Sequence, residues 1–146
     1  MEVTVRAAAL SDEARLLGWR NAPEVRAASF TSGVIDPGGH ARWFRDALSD
    51  PDREVWIAMA GDLPLGVVRL SREGEAAEVH ILLGDEGRGR GLSAPALQAA
   101  LDASTFRPGV WRARVKRSND ASMALFRRAG FHETGPDDPA VFERTA

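Results

Sequence analysis

With 146 residues the chain is long enough for one core and short for two, so a single domain over residues 1–146 is expected, and an apolar content of 44% can fill its interior. Lys+Arg at 19 against Asp+Glu at 21 leave a formal charge of −2, without the basic footprint of a nucleic-acid binder or a polybasic membrane patch. A cysteine count of 0 excludes disulfides, thiolate metal sites and a cysteine nucleophile, no metal site is expected, and a tyrosine count of 0 removes one common general acid. There is no apolar run of about 18 residues, and the opening MEVTVRAAALSDEARLL lacks the basic start and apolar stretch of a secretion signal, so a cytoplasmic protein is expected.

Val3 to Ala7 alternate apolar with polar and read as a first strand. Ser11-Asp12 offers a cap for a helix through Ala14, Leu16, Leu17 and Trp19, which Asn21-Ala22-Pro23 ends because the residue before proline avoids helical angles. Glu24-Val25-Arg26 suggests a short further turn of helix, and the glycines and proline between Phe30 and Gly39 suggest a loop. Asp36-Pro37 reads as a cap followed by proline at the first helical position, with His40, Phe44 and Leu48 at helical spacing behind it. Strands over Glu54–Ala60, Leu65–Leu70 and Glu75–Leu83, joined by short turns, predict an antiparallel meander.

Gly84 to Gly91 then hold four glycines in eight positions, ahead of a helix from about Leu92 to Ala103 whose Pro95 is tolerable only in the first turn. Val110–Val115 reads as a strand, Asn119–Ala129 as an amphipathic helix closed by Gly130, and Phe131–Glu133 and Ala140–Glu143 as closing strands. The order β-α-α-β-β-β-α-β-α-β-β predicts an α/β layer architecture with helices on a mixed sheet.

A strand, a glycine-rich turn and a helix in succession outline an anion cradle, because glycines let backbone N–H groups approach a phosphate and the helix start adds unsatisfied donors. The dinucleotide G-x-G-x-x-G is not met, since Ala94 stands where its last glycine belongs, and the lysine of the P-loop is missing. On the residues alone, a solvated turn and an anion site remain equally open.

Glu78 through Leu92 resembles motif A of the GCN5-related N-acetyltransferases (GNAT), whose loop Q/R-x-x-G-x-G/A falls on Glu86-Gly87-Arg88-Gly89-Arg90-Gly91. Both glycines match, and Glu86 replaces the leading Gln or Arg. Asn119 through Phe131 resembles motif B, N-x-x-[AS]-x-x-L-Y-x-x-x-G-F, with Phe126 at the tyrosine. The resemblance covers nearly the whole chain. It implies a GNAT fold: a central, mixed but mostly antiparallel twisted sheet of about seven strands with about four helices on its faces. It also implies an acetyl-CoA-dependent N-acetyltransferase acting on a primary amine.

By this resemblance the pyrophosphate of acetyl-CoA sits on the amides of Gly87, Arg88, Gly89, Arg90, Gly91, Leu92 and Ser93. A backbone N–H among Ile81, Leu82 and Leu83 polarises the thioester. Asn119, Ser122 and Phe126 lie along the pantetheine and thiol. Glu78 and His80 share one face of their strand, where the family often places a carboxylate base. Glu78 is therefore the first candidate base, and His80, with an ordinary pKa of about 6.5, the second. Both are also readable without chemistry, Glu78 as a strand-edge charge and His80 as a lining residue. With Phe126 in place of the tyrosine acid, the thiolate leaves unprotonated or takes its proton from Ser118, Ser122 or water.

The pattern Trp19-Arg20-Asn21-Ala22-Pro23-Glu24-Val25-Arg26, then Phe30-Thr31, then His40-Ala41-Arg42-Trp43-Phe44, resembles acetyltransferases of nucleotide-linked amino sugars and, more weakly, ribosomal-protein N-terminal acetyltransferases. That likeness implies Arg20, Asn21, Arg26, His40, Trp43 and Phe44 as ligands for a sugar ring and diphosphate, possible in outline for a UDP-amino sugar. The same residues are otherwise core aromatics, solvated arginines and a helix cap. Rival readings are a protein or peptide α-amine transferase, an aminoglycoside or polyamine transferase, and an acetyl-CoA-binding module without turnover. Open sheet edges in such a fold also suggest a homodimer.

Overall fold

The computed structural model describes residues 2–30 and 33–146, so Thr31 of the acceptor-side pattern lies outside the described residues. Strand β1 (Thr4–Ala7) leads through a 3-10 turn (Leu10–Asp12) into helices α1 (Glu13–Asn21), α2 (Pro23–Ala28) and α3 (Pro37–Ser49). Strands β2 (Arg53–Ala60), β3 (Leu63–Glu73) and β4 (Ala76–Leu83) form the meander, and α4 (Ser93–Ala103), β5 (Val110–Val115), α5 (Asp120–Arg128), β6 (His132–Glu133) and β7 (Ala140–Thr145) follow. The expected count of about four helices becomes five, because Pro23, pre-set for helical φ at the first turn, starts α2 as a helix of its own. Asp36 caps α3 as its sequence predicts, its carboxylate accepting from the Gly39 N–H at 2.8 Å. Among the described residues no helix is long and apolar enough to cross a membrane.

The strands form one sheet in the order β1-β2-β3-β4-β5-β7-β6. Every pairing is antiparallel except β4 with β5. The chain does not close the sheet in sequence order: β7 inserts between β5 and the two-residue β6.

Period-two alternation divides the strands between two cores. On one face Val55, Ile57 and Val67 pack against Leu16 and Trp19 of α1 and Phe44 and Ala47 of α3. On the other, Val68, Leu70, Val79, Trp111 and Phe142 meet Leu97, Ala100 and Leu101 of α4 and Met123, Leu125 and Phe126 of α5.

The parallel ladder between β4 and β5 consists of Ala76↔Val110, Ala77↔Trp111 and Glu78↔Arg112. Beyond it β4 runs on to Leu83 paired with β3, and β5 runs on to Val115 paired with β7. The two central strands thus diverge into a wedge.

At the end of β4, the Gly84 N–H donates to the Leu65 carbonyl at 2.8 Å. A Cβ at Gly84 would fall on the indole of Trp19, so only glycine lets α1 sit this close to the sheet. Gly84→Ala is expected to destabilise the fold by about 1–3 kcal/mol through overpacking. Gly18→Ala, in the same helix as Trp19 but facing open space, is expected to stabilise by about 0.5–1 kcal/mol. Urea denaturation midpoints of the two variants check both signs.

Candidate functional site

The wedge opens into a cavity of about 760 Å³. Its wall includes Val79 and Ile81 with Ser93, Ser122 and Phe126 from the α4–α5 face of the sheet, and His80 and Leu82 with Arg20, His40 and Trp43 from the α1–α3 face. Because successive residues of β4 point to opposite faces, one cavity touches both sides of the sheet only where β4 has lost its neighbour.

The glycine loop supplies donors at one end. Gly89 and Gly91 have φ of +74° and +69°, in the left-handed region that favours glycine, and a side chain there would face open space. The amides of Gly87 and Arg88 already donate to the Gly84 carbonyl at 3.0 and 3.1 Å. The expectation that these two bind pyrophosphate is corrected accordingly. Gly87 instead lets the loop close on the Leu65 carbonyl, which a Cβ would approach to 3.0 Å.

Among the described residues the N–H groups of Gly89, Arg90, Gly91, Leu92, Ser93 and Ala94 make no hydrogen bond within the protein, the first helical bond of α4 being Ala96 to Leu92 at 3.0 Å. These six lie at the start of an eleven-residue helix, where the dipole favours an anion. The donor set fits a pyrophosphate.

The side chain of Arg88 is folded back onto Asp85 and onto the Leu83 carbonyl at 3.2 Å, and reaches Glu24 of α2 at 3.8 Å. Arg90 is exposed. Glu86, the departure from motif A, is absent from the cavity wall, with Oε2 enclosed and unpartnered.

The wedge supplies further donors. Since the Gly84 N–H faces β3, alternation turns the backbone groups of Leu82 toward β3 and those of Ile81 and Leu83 toward the vacated β5 side. Of the three residues expected to offer a thioester donor, Leu82 is thereby excluded as a backbone donor. Its side chain still lines the wall. On α5, Asn119 spends Oδ1 on capping the helix, accepting from the Ser122 N–H at 3.2 Å, and its amide NH₂ is left for the cavity it lines. Phe126 packs edge-on to Phe131 at 5.1 Å and stacks on Phe142 at 6.0 Å, and it contributes to the cavity wall.

Glu78 is 7% exposed and lies off the cavity wall. Arg114 Nη1 donates to its Oε2 at 2.5 Å, and its Oε1 lies 3.6 Å from His80 Nε2. His80, which does line the cavity, stands between Glu78 and the space. The expectation that His80 titrates near its ordinary value is corrected: burial and the nearby Arg69 push its pKa down to about 4, against the opposing pull of Glu78. The imidazole is neutral at neutral pH.

Of the acceptor-side candidates, Arg20, His40 and Trp43 reach the cavity, and Asn21, Arg26 and Phe44 do not. Asn21 holds the chain ahead of α3, accepting from the Ile35 N–H at 2.7 Å and donating to its carbonyl at 3.2 Å. Helix α2 turns Glu24, Val25 and Ala28 to the cavity, and at helical spacing this sends Arg26 elsewhere. Phe44 is fully enclosed in the α1–α3 core.

His40 is buried, with Nδ1 hydrogen-bonded to Glu13 Oε1 at 2.9 Å and Nε2 enclosed without a partner. Trp43 does not offer a bare ring: the guanidinium carbons of Arg20 and Arg69 lie 4.9 and 5.0 Å from its centroid. Arg69 and Arg114 escape a reading by motif. Their signal is a charge inside a central strand, as in Val67-Val68-Arg69-Leu70.

The acetyltransferase (GNAT) domain family matches the chain over residues 2–132. The chain belongs to this family. Its seven-stranded mixed sheet with five helices is the GNAT fold.

A relative, the N-alpha-acetyltransferase RimI of Mycobacterium tuberculosis, is 33% identical over 105 residues, covering 68% of this chain and 65% of that protein. The match thus spans less than two thirds of that relative's length. Among solved structures, spermidine N-acetyltransferase from Vibrio cholerae in complex with CoA and spermine superposes with a TM-score of 0.84 at 18% identity, over 97% of this chain and 93% of that one. AAC(6')-Ib in complex with ribostamycin and coenzyme A gives 0.84 at 20% identity, over 99% and 94%. At such identities the structural likeness speaks for the fold.

Gly89→Val and Gly91→Val are expected to abolish acetyl-CoA binding in calorimetric titration, with the protein still folded but destabilised by about 1–3 kcal/mol from the positive φ. Unchanged affinity in both would contradict the loop assignment. His80 predicts a pH effect on stability. The unfolded imidazole takes a proton near pH 6.5, the folded one only near pH 4, so stability falls as pH drops through that window. His80→Gln is expected to flatten that decline in urea midpoints measured from pH 7 to 4.

Proposed function

We propose that this chain acetylates the amino group of a nucleotide-linked amino sugar, the acceptor entering from the α1–α3 face and meeting the thioester in the wedge. The observation that carries the reading is the joining of two donor sets and a proton acceptor by one cavity. The loop lines one end through Gly89 and Ser93, Ile81 and Leu83 lie in the middle, and His80, backed by Glu78 outside the wall, lies at the acceptor side. Acetyl-CoA supplies an activated acyl carbon. The N–H of Ile81 or Leu83 receives the charge that develops on the carbonyl oxygen.

The amine nitrogen bonds to that carbon and the C–S bond breaks. An alkylamine with pKa about 10.4 is almost entirely protonated at neutral pH, so two protons leave the nitrogen. The ammonium sheds the first to solvent before attack, and the second, released as the N–C bond forms, needs an acceptor at the site. We assign that second proton to His80, with the Glu78 carboxylate behind the ring to stabilise the imidazolium that results. The sulfur leaves as a thiolate, tolerable at a pKa of about 8.5. This suits Phe126 at the position where motif B carries tyrosine.

The 33% identity to RimI favours a second reading, transfer to the α-amine of a protein. Coenzyme A release measured against a UDP-4-amino sugar, N-terminal peptides, spermidine and kanamycin separates the readings. Turnover of the sugar alone supports the first, and turnover of peptides without the sugar contradicts it.

Glu78→Gln is expected to slow turnover by about tenfold to a hundredfold at neutral pH. The defect should shrink as pH rises and the nitrogen sheds its second proton unaided. A defect constant from pH 6 to 9.5 would remove Glu78 from the proton path.

A further inference from the structure

Two arginines in the acceptor half of the cavity have no acidic partner. Arg69 stands in the middle of β3, opposite His80 in the β3–β4 register, and Arg20 comes from the last turn of α1. Among the described residues neither makes a salt bridge, whereas Arg114 on the same face is spent on Glu78 and Arg88 at the loop on Asp85. Both guanidiniums lie against the Trp43 ring, at 4.9 and 5.0 Å from its centroid, close enough that the charge of Arg20 adds to the lowering of the Arg69 pKa. Burial lowers the pKa of both, that of Arg69 to about 10, so both stay charged at neutral pH. Partly desolvated like charges without a counter-ion are unfavourable in an empty cavity and favourable once an anion lies between them.

We propose that Arg20 and Arg69, held on Trp43, form an anion-binding subsite that selects acceptor amines carrying a phosphate or carboxylate over neutral and polycationic amines. The proposal rests on the acetyl-transfer reading for its substrate and on the arginine pair for its chemistry. Planar forks match phosphate and carboxylate oxygens with paired N–H donors, and the ring beneath them removes much of the ordering that such contacts otherwise require.

The subsite also acts on the proton acceptor. The charges facing His80 are Arg20 from α1, Arg69 from β3, Glu78 from β4 and Arg114 from β5, and all three arginines oppose its protonation. An anion seated on Arg20 and Arg69 offsets two of them, so the substrate that fits is also the one that raises the basicity of His80.

The test uses matched small amines with the purified protein and acetyl-CoA: phosphoethanolamine, β-alanine, ethanolamine and putrescine, followed by coenzyme A release. The expected result is a kcat/KM at least about tenfold higher for phosphoethanolamine or β-alanine than for ethanolamine, with putrescine lowest. Arg69→Met and Arg20→Met are each expected to erase the preference, mainly through KM. Arg69→Lys, which keeps the charge without the fork, should restore part of it. Equal rates for anionic and neutral amines, or putrescine as the best of the four, would overturn the subsite.

In a second arm, the CoA-saturated protein is titrated with inorganic pyrophosphate, the glycine loop being blocked. Binding by wild type that weakens at least about tenfold in both Met variants, with acetyl-CoA affinity unchanged, supports the subsite. Equal binding by all three, or none by wild type, overturns it. If no amine at all releases coenzyme A, it is the acetyl-transfer reading that falls, and the pyrophosphate titration still decides the subsite.

Discussion

The pairing of β4 with β5 ends at Glu78 and Arg112, and the rest of the site depends on that ending. A strand in the middle of a sheet normally spends every N–H and C=O on its neighbours, and a buried amide left without a partner costs about 1–3 kcal/mol. Here Ile81 and Leu83 keep their backbone groups on a side where β5 has moved away, and the cavity between the strands keeps them accessible. The wedge thus holds donors in reserve for a ligand. It also joins the two faces of the sheet, so a group bound at the α4 end and an amine arriving past α1 and α3 can meet without either crossing a layer of packed side chains.

The charges on the acceptor face are arranged around that opening with different degrees of compensation. Glu78 is buried, but Arg114 satisfies one of its oxygens and leaves the other beside His80. The pair keeps a carboxylate close to the reaction without exposing it to the cavity. Arg69 and Arg20 are left uncompensated on Trp43. Burial, and after it the charge of Arg69 with a smaller part from Arg20, keeps His80 neutral, so in the proposed subsite the residues that would hold an acceptor's anion also bear on when the imidazole accepts a proton.

Much of this was legible in the residues. Gly89 and Gly91 announce backbone conformations that other residues avoid, and both have positive φ. Asp36-Pro37 and Gly130 mark helix ends by local chemistry, and local chemistry is what a sequence displays most directly. What was hidden depends on contacts distant in the chain. The insertion of β7 between β5 and β6 follows from which strand edge is free after α5 packs, and no local pattern records it. Asn21 looked like a ligand or a cap and proved to be a clamp on Ile35, fourteen residues on. Arg26 was lost to the cavity by the rotation of a six-residue helix. Trp43 lines the cavity with two arginines against its ring, one of them from a strand where nothing in the spacing flags a functional charge.

The central claim is that acetyl-CoA is held by loop amides at one end and by strand amides in the wedge, and amide hydrogen exchange resolves both at once. On adding acetyl-CoA, the N–H groups of Ile81, Leu83 and residues 89–94 should gain protection together. Those of Gly87 and Arg88, already bonded to the Gly84 carbonyl, should change little. Protection confined to the loop, with Ile81 and Leu83 exchanging as before, would contradict the account of the wedge.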